Sequence, residues 1–194
     1  MALGGTIRGK KTTLRLPVEA DLDTYNRWMA DMRLRHAHRL WHEPAMPATW
    51  KDRFKEMAKE KEQVLWSIDA EGRLVGFALG RLWSLGNGFD VRQLVIDPDE
   101  WRKGYGFDAA LALHRYVFDY LDLRLATTDI RADNVAARAI VTRLGYTEFA
   151  HGHDVDYRDG AYVDVVQLRV DKETWLDRWS AEREYPPLAA DATR

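Results

Sequence analysis

A chain of 194 residues with 29 Lys plus Arg against 31 Asp plus Glu has a formal charge of -2. It is sized for one domain with a full core and carries no basic surplus that would favour nucleic acid. It has no cysteine, which excludes disulfides, thiol catalysis and Cys-based zinc sites. No apolar run reaches the length of a signal peptide or the ~18 residues of a membrane span, so a soluble cytoplasmic protein without membrane partners is the expectation.

Residues 1–10 are glycine-rich and basic and read as a flexible lead-in to a single domain over 11–183, with 184–194 a polar tail. Thr12 to Leu16 alternates as a first strand that Pro17 ends. A helix follows from the region of Glu19 or Asp21 to about Met32, with Leu22, Tyr25, Trp28 and Met29 on its apolar face. The pattern breaks from Arg33 to Pro47, where His36, His38 and His42 lie among arginines. No acidic residue at fixed spacing accompanies them, so packing or solvated histidines are favoured over a metal site. Thr49 opens a helix carrying Trp50, Phe54 and Met57.

Val64–Ile68 and Leu74–Leu82 read as strands joined by a hairpin turn at Glu71-Gly72. Phe89 to Ile96 is a buried strand stopped by Asp97-Pro98-Asp99. Beyond Gly106, the residues Phe107, Ala110, Leu111, Leu113, Val117, Phe118 and Leu121 recur at helical spacing. Leu125–Ile130 is the next strand. Asp133 or Asn134 caps a helix bearing Ala137, Ile140, Val141 and Leu144, which Gly145 stops. Tyr146–Val155 and Tyr162–Val170 form a closing pair of strands around Arg158-Asp159-Gly160, and a last helix spans about Thr174 to Arg183. This order gives an α/β (α+β) fold around one mixed sheet.

The segment from Phe89 to Leu123 organises the rest. Gly104 and Gly106 lie where a strand hands over to a helix, whose first-turn amides lack intrahelical partners at the electropositive end of the dipole. Without Cβ atoms there, backbone can approach a phosphate closely, and Arg102 and Lys103 add mobile positive charge. The site suits a diphosphate. A lone Gly-x-Gly also serves as a plain tight turn, and neither the Rossmann nor the P-loop pattern is present.

Three segments carry a family resemblance over roughly residues 10 to 172. They are Leu14-Arg15-Leu16 with Asp21 and Trp28, Trp101-Arg102-Lys103-Gly104-Tyr105-Gly106, and Asn134 with Arg143-Leu144-Gly145-Tyr146 followed by Asp159-Gly160-Ala161-Tyr162-Val163-Asp164. In these the chain resembles the GNAT superfamily of acyl-CoA-dependent N-acyltransferases, and within it the branch of the ribosomal-protein acetyltransferases RimJ and RimL and the spermidine acetyltransferases. The resemblance implies a central, mostly antiparallel mixed sheet flanked by helices and acetyl-CoA as cosubstrate, with no metal. It also implies direct attack by a primary amine, which a protein N-terminus, polyamine, amino sugar or antibiotic would supply. Dimers are frequent in the superfamily, so a homodimer is among the implied assemblies.

The cofactor-binding residues implied are Trp101, Arg102, Lys103, Gly104, Tyr105 and Gly106 for the phosphates, Val95 and Ile96 for the pantetheine amides in the manner of an added strand, and Asn134 and Arg143 nearby. An alkylamine of pKa about 10.4 needs a base. Asp90 is the first candidate, on the face of Ile96 by strand parity unless a bulge intervenes. A turn-capping Asp after Gly86-Asn87-Gly88 is the plainer reading. Tyr105 and His153 are further catalytic candidates, against packing and an exposed edge strand. Position 137, often Ser in this branch, is Ala. Position 141, often a Tyr acting as general acid in the superfamily, is Val. That absence of a proton donor motivates an alternative, an acyl-CoA-binding module without efficient transfer.

Overall fold

The computed structural model describes residues 4–38, 46–158 and 160–180, so His42, Asp159 and the tail at 184–194 lie outside the described residues. The chain forms β1 (Ile7–Arg8), β2 (Thr12–Arg15), α1 (Leu22–Ala30), α2 (Met32–Ala37), α3 (Pro47–Met57), β3 (Gln63–Ala70), β4 (Arg73–Trp83) and β5 (Gly88–Ile96). There follow α4 (Tyr105–Arg115), β6 (Leu125–Arg131), α5 (Val135–Leu144), β7 (Thr147–Arg158), β8 (Ala161–Asp171) and α6 (Lys172–Trp179). The strands make one eight-stranded sheet in the order β1-β2-β3-β4-β5-β6-β8-β7. Every pairing is antiparallel except β5 with β6. This is the mixed, mostly antiparallel α/β sheet expected.

The sheet is covered on both faces, which is why β3 reads as a continuous apolar run and not an alternating one. Trp66 and Ile68 face α4, together with Phe89, Tyr116 and Trp175. Leu65 faces the other way, into a cluster of Tyr25, Trp28, Leu34 and Trp50 over Phe77, Leu79 and Val95. Four aromatic rings meet there, with Phe77 4.9 Å from Tyr25 and 5.4 Å from Trp50 between ring centres. Gly80 is a strand glycine with a steric reason: a Cβ there would lie 2.2 Å from the Phe89 ring, which crosses over it.

Three local differences from the sequence expectation have physical causes. Residues 1–10 were expected as a loose lead-in, yet Ile7 is buried and pairs with Leu14, and the Gly4 amide donates to Tyr116 Oη at 2.8 Å. The single helix expected to Met32 breaks at Asp31, whose extended backbone (ψ 119°) and carboxylate cap a second helix at the Arg33 amide. The long helix after Gly106 starts at Tyr105 and loosens at Tyr116–Tyr120 into a wide turn, the amide of Leu121 reaching back to the carbonyl of Tyr116.

Candidate active site

β5 and β6 share only three rungs, Gly88 with Leu125, Phe89 with Ala126 and Asp90 with Thr127, and then part. The parting follows a bulge in β5. Gly80 of β4 opposes Val91 and Leu79 opposes Gln93, so Arg92 is the extra residue, and an extra residue bends and twists its strand. The bulge also resolves the parity of Asp90. Phe89, Val91, Leu94 and Ile96 all pack on the α4 face, while Val95 packs on the α1–α3 face. Asp90 therefore shares a face with Gln93 and Val95, and not with Ile96 as unbroken parity gives.

A cleft of about 420 Å³ fills the split, with walls from β5 (Asp90 to Leu94), β6 (Thr128 to Arg131), α2, α3 and α5. Asp90 Oδ2 accepts from Arg92 Nε at 3.2 Å and Oδ1 from Thr127 Oγ1 at 3.3 Å. Burial pushes the Asp90 carboxyl up from its ordinary range against the lowering charge of Arg92, and the neighbouring charge of Asp129 adds to the rise. Gln93 Oε1 also belongs to a cleft-lining side chain and is buried without a hydrogen-bond partner.

From the α4 side the cleft is floored by a pair that the sequence reading missed. Tyr146 Oη and His114 Nε2 are 2.6 Å apart, and His114 Nδ1 is 2.7 Å from the Ala110 carbonyl. A carbonyl only accepts, so Nδ1 carries the ring proton. Burial lowers the His114 pKa to about 4, the ring is neutral, and Nε2 is left to accept from the Tyr146 hydroxyl. The Tyr146 phenol is in turn pushed up, by burial first and then by the charge of Asp90. The signal available in the sequence was a histidine on the apolar stripe of α4, four residues after Ala110 and four before Phe118.

α2 closes one end of the cleft. The carbonyls of its last turn have no intrahelical donors. Arg131 Nη1 donates to the His36 carbonyl at 2.7 Å and Asn134 Nδ2 to the Ala37 carbonyl at 2.9 Å. Asn134 Oδ1 accepts the Ala137 amide at 3.0 Å, so this side chain lines the cleft while capping α5 and holding α2. Ala137 and Val141 line the same wall and offer no proton donor.

The turn into α4 lies on the same side of the sheet as His114 and Tyr146. Arg102 has φ +66° and Gly104 φ +86°, with Lys103 between them in the ordinary hand. Such alternation turns successive N–H groups toward one point, here at the start of an eleven-residue helix. An added Cβ at Gly104 would meet only the ammonium of Lys11, 3.3 Å away, and that ammonium donates to the Lys103 carbonyl at 3.0 Å. Lys103 Nζ and Arg73 Nη1 both donate to Glu100, at 2.7 and 2.6 Å, which holds the Glu100 carboxyl below its usual range. The turn is a backbone concavity with the Lys11 ammonium beside it, a shape and charge suited to an anion. Trp101 Nε1 donates to the Ile96 carbonyl at 2.8 Å, tying this turn to the strand at Val95 and Ile96.

The structure does not bring every candidate to the cleft. Tyr105 is buried at the start of α4 and donates to Glu71 Oε1 at 2.8 Å, and His153 is exposed on the β7–β8 hairpin, 3.1 Å from Asp164 Oδ2. Neither lines the cleft. Arg143 stacks over Phe107, 3.8 Å from the ring centre, and borders a second, shallow groove with Arg138 and Arg178. His36 and His38 end α2, and no cluster of three or more metal-ligating side chains occurs among the described residues.

No curated protein matches the chain. Among solved structures, a chimera of the Vibrio cholerae spermidine N-acetyltransferase SpeG and hSSAT superposes with a TM-score of 0.77 at 16% identity, over 87% of this chain and 100% of that one. The Vibrio cholerae spermidine N-acetyltransferase in complex with CoA and spermine gives 0.76 at 18% identity, over 86% and 98%. A GCN5-related N-acetyltransferase from Brucella melitensis gives 0.75 at 16%, over 92% and 84%. The family model for the acetyltransferase (GNAT) domain matches residues 11–147, and the chain belongs to that family, acetyltransferases that take acetyl-CoA as cosubstrate.

Proposed function

We propose that this protein moves the acetyl group of acetyl-CoA onto a primary amine by direct attack, with Asp90 as the base. The carrying observation is that one split in the sheet joins two faces. The amide-rich turn at Arg102–Gly106 lies on the α4 face, and a carboxyl of raised pKa lies on the other. The diphosphate is read as held by the amides and cations of Trp101 to Gly106, and the pantetheine amides as running along β5 near Val95 and Ile96. Arg143, beside the third residue of α4, is within the same neighbourhood. Asp90 takes the proton that the amine must shed before its lone pair can attack. The acetyl thioester supplies the electrophilic carbonyl.

The kinship of fold with enzymes named for spermidine is compatible with an amine acceptor, and the RimJ/RimL-like branch and a cytoplasmic homodimer remain part of this reading. One observation favours a second reading: Ala137 and Val141 stand where a proton donor to the leaving sulfur is usual, as in a module that binds acyl-CoA without efficient transfer. Release of free CoA thiol, followed across a panel of amines, tests both. Turnover with at least one amine is expected. Tight CoA binding without thiol release on any amine would establish the second reading.

A further inference from the structure

The turn into α4 has a neighbour from a distant part of the sequence. Lys10 and Lys11 link β1 to β2, and the amides of Lys10, Lys11 and Thr12 all donate to Asp108 on the first turn of α4. The link is thereby fixed to the same helix whose opening amides face the concavity at Arg102–Gly104. Both Asp108 oxygens are occupied by donors of this link. From the anchored backbone the exposed Lys11 side chain reaches across to Lys103, 92 positions along the sequence, and its ammonium donates to the carbonyl there at 3.0 Å. The same ammonium lies 3.3 Å from where a Gly104 Cβ would stand.

The two lysines at this turn are not equivalent. Lys103 Nζ donates to the buried Glu100 carboxylate, which Arg73 also engages, so the loop's own lysine is drawn back to an acid. Among the described residues Lys11 Nζ bonds only to a carbonyl, a neutral acceptor, which leaves its positive charge and two of its three N–H groups for a ligand. An ammonium acts on phosphate as a compact point charge and needs no planar match, so a single lysine at the rim of an amide-lined turn adds to anion binding. We propose that Lys11 is a cosubstrate-binding residue, its ammonium meeting the diphosphate of acetyl-CoA beside the amides of Arg102–Gly104. Lys11 lies outside the Trp101–Gly106 pattern, and its role rests on the reading that places the diphosphate at this turn.

The experiment measures CoA binding by calorimetry in the absence of any amine, with pantetheine, which has the same thiol arm and no phosphate, as the control ligand. Lys11→Gln should weaken CoA about three- to thirtyfold, between the values for an exposed ion pair and a charge-assisted hydrogen bond, and leave pantetheine unchanged. Lys11→Arg should recover most of the loss. Raising the salt from about 50 to about 500 mM should weaken CoA binding to the parent more than to Lys11→Gln, because the lost contact is one that salt screens. Unchanged CoA affinity in Lys11→Gln, or an equal loss on both ligands, would overturn the role of Lys11. Gly104→Glu separates that failure from a failure of the diphosphate reading. If Gly104→Glu abolishes CoA binding while Lys11→Gln leaves it intact, Lys11 alone is struck out. If Gly104→Glu binds CoA like the parent, the diphosphate lies elsewhere and both fall.

Discussion

Thr12 Oγ1 donates to Asp108 Oδ2 at 2.8 Å, and the Thr12 amide reaches the same oxygen at 2.9 Å. The amides of Lys10 and Lys11 add bonds of 3.0 and 2.9 Å, so one carboxylate on the first turn of α4 gathers the whole β1–β2 turn. The approach is close enough that a Cβ on Gly9 would lie 2.2 Å from Asp108 Oδ2. Asp108→Ala leaves these buried donors without an acceptor and should cost about 2–4 kcal/mol. Urea denaturation at constant m-value checks it, and a loss below about 1 kcal/mol would show that the turn is held by other means.

Asp21 is the centre of a second network. It accepts from Arg15 Nη1 at 2.7 Å, Ser67 Oγ at 2.6 Å and the Val18 amide at 2.9 Å, while the Tyr25 hydroxyl, 2.6 Å from Ser67 Oγ, passes its proton in the same direction. Burial pushes this carboxyl up, but the hydrogen bonds from Arg15, Ser67 and Val18 outweigh it and hold the pKa below the ordinary value. A depressed folded-state pKa contributes stability in full above the unfolded-state value of about 3.9 and loses it as pH falls through the folded one. Asp21→Asn should therefore be destabilised by about 1–3 kcal/mol at pH 7, with a gap to the parent that narrows steadily below about pH 4. A gap independent of pH, in parallel thermal melts, would remove the charge from the explanation.

Gly104→Glu places a carboxylate at the concavity proposed for the diphosphate and forces an L-residue to φ +86°. Gly72 provides the control, since it has φ +76° with nothing within 4 Å of an added Cβ. Gly72→Ala should lose about 1 kcal/mol of stability through backbone strain and keep its thermal shift with CoA. Gly104→Glu should lose that shift altogether. If both variants keep it, the phosphates bind elsewhere.

Asp90→Asn keeps the shape of the side chain and removes the proposed base. The expected result is a fall in kcat of about 10²–10⁴-fold with CoA affinity unchanged. Because burial raises the Asp90 pKa, the acidic limb of kcat/KM should lie above the range of an exposed aspartate, activity rising as the carboxylate forms. Arg92 lowers that pKa, so Arg92→Gln should move the limb to higher pH. A limb that stays put in Arg92→Gln would assign it to another group.

The frame of the molecule was legible because its signals are local. β-branched runs, the Glu71-Gly72 turn, the Asn134 cap and the Gly145 stop each act within a few residues. The chemistry of the cleft was less so. The face of Asp90 depends on one extra residue, Arg92, whose bulge is defined only by its partners on β4. The His114–Tyr146 pair joins residues 32 apart in sequence, and neither carries a local mark beyond apolar spacing. Asp31 was passed over because a single extended residue between two amphipathic stretches leaves the helical period almost intact. Tyr105 and His153 drew a role by residue type, and residue type does not foretell their pairing with Glu71 and Asp164 away from the cleft.

The brevity of the β5–β6 seam has a consequence for how the molecule can be watched. Past Asp90 and Thr127 the two strands turn facing edges toward each other without a shared rung, save for the bond of 2.9 Å from Thr128 Oγ1 to the Val91 carbonyl. Backbone amides along such a rim trade their hydrogens for deuterium faster than those inside a ladder, and an extended guest that bonds to them slows the trade. The protein thus carries an isotopic gauge of its own occupancy at the mouth of the split, readable before any product is made.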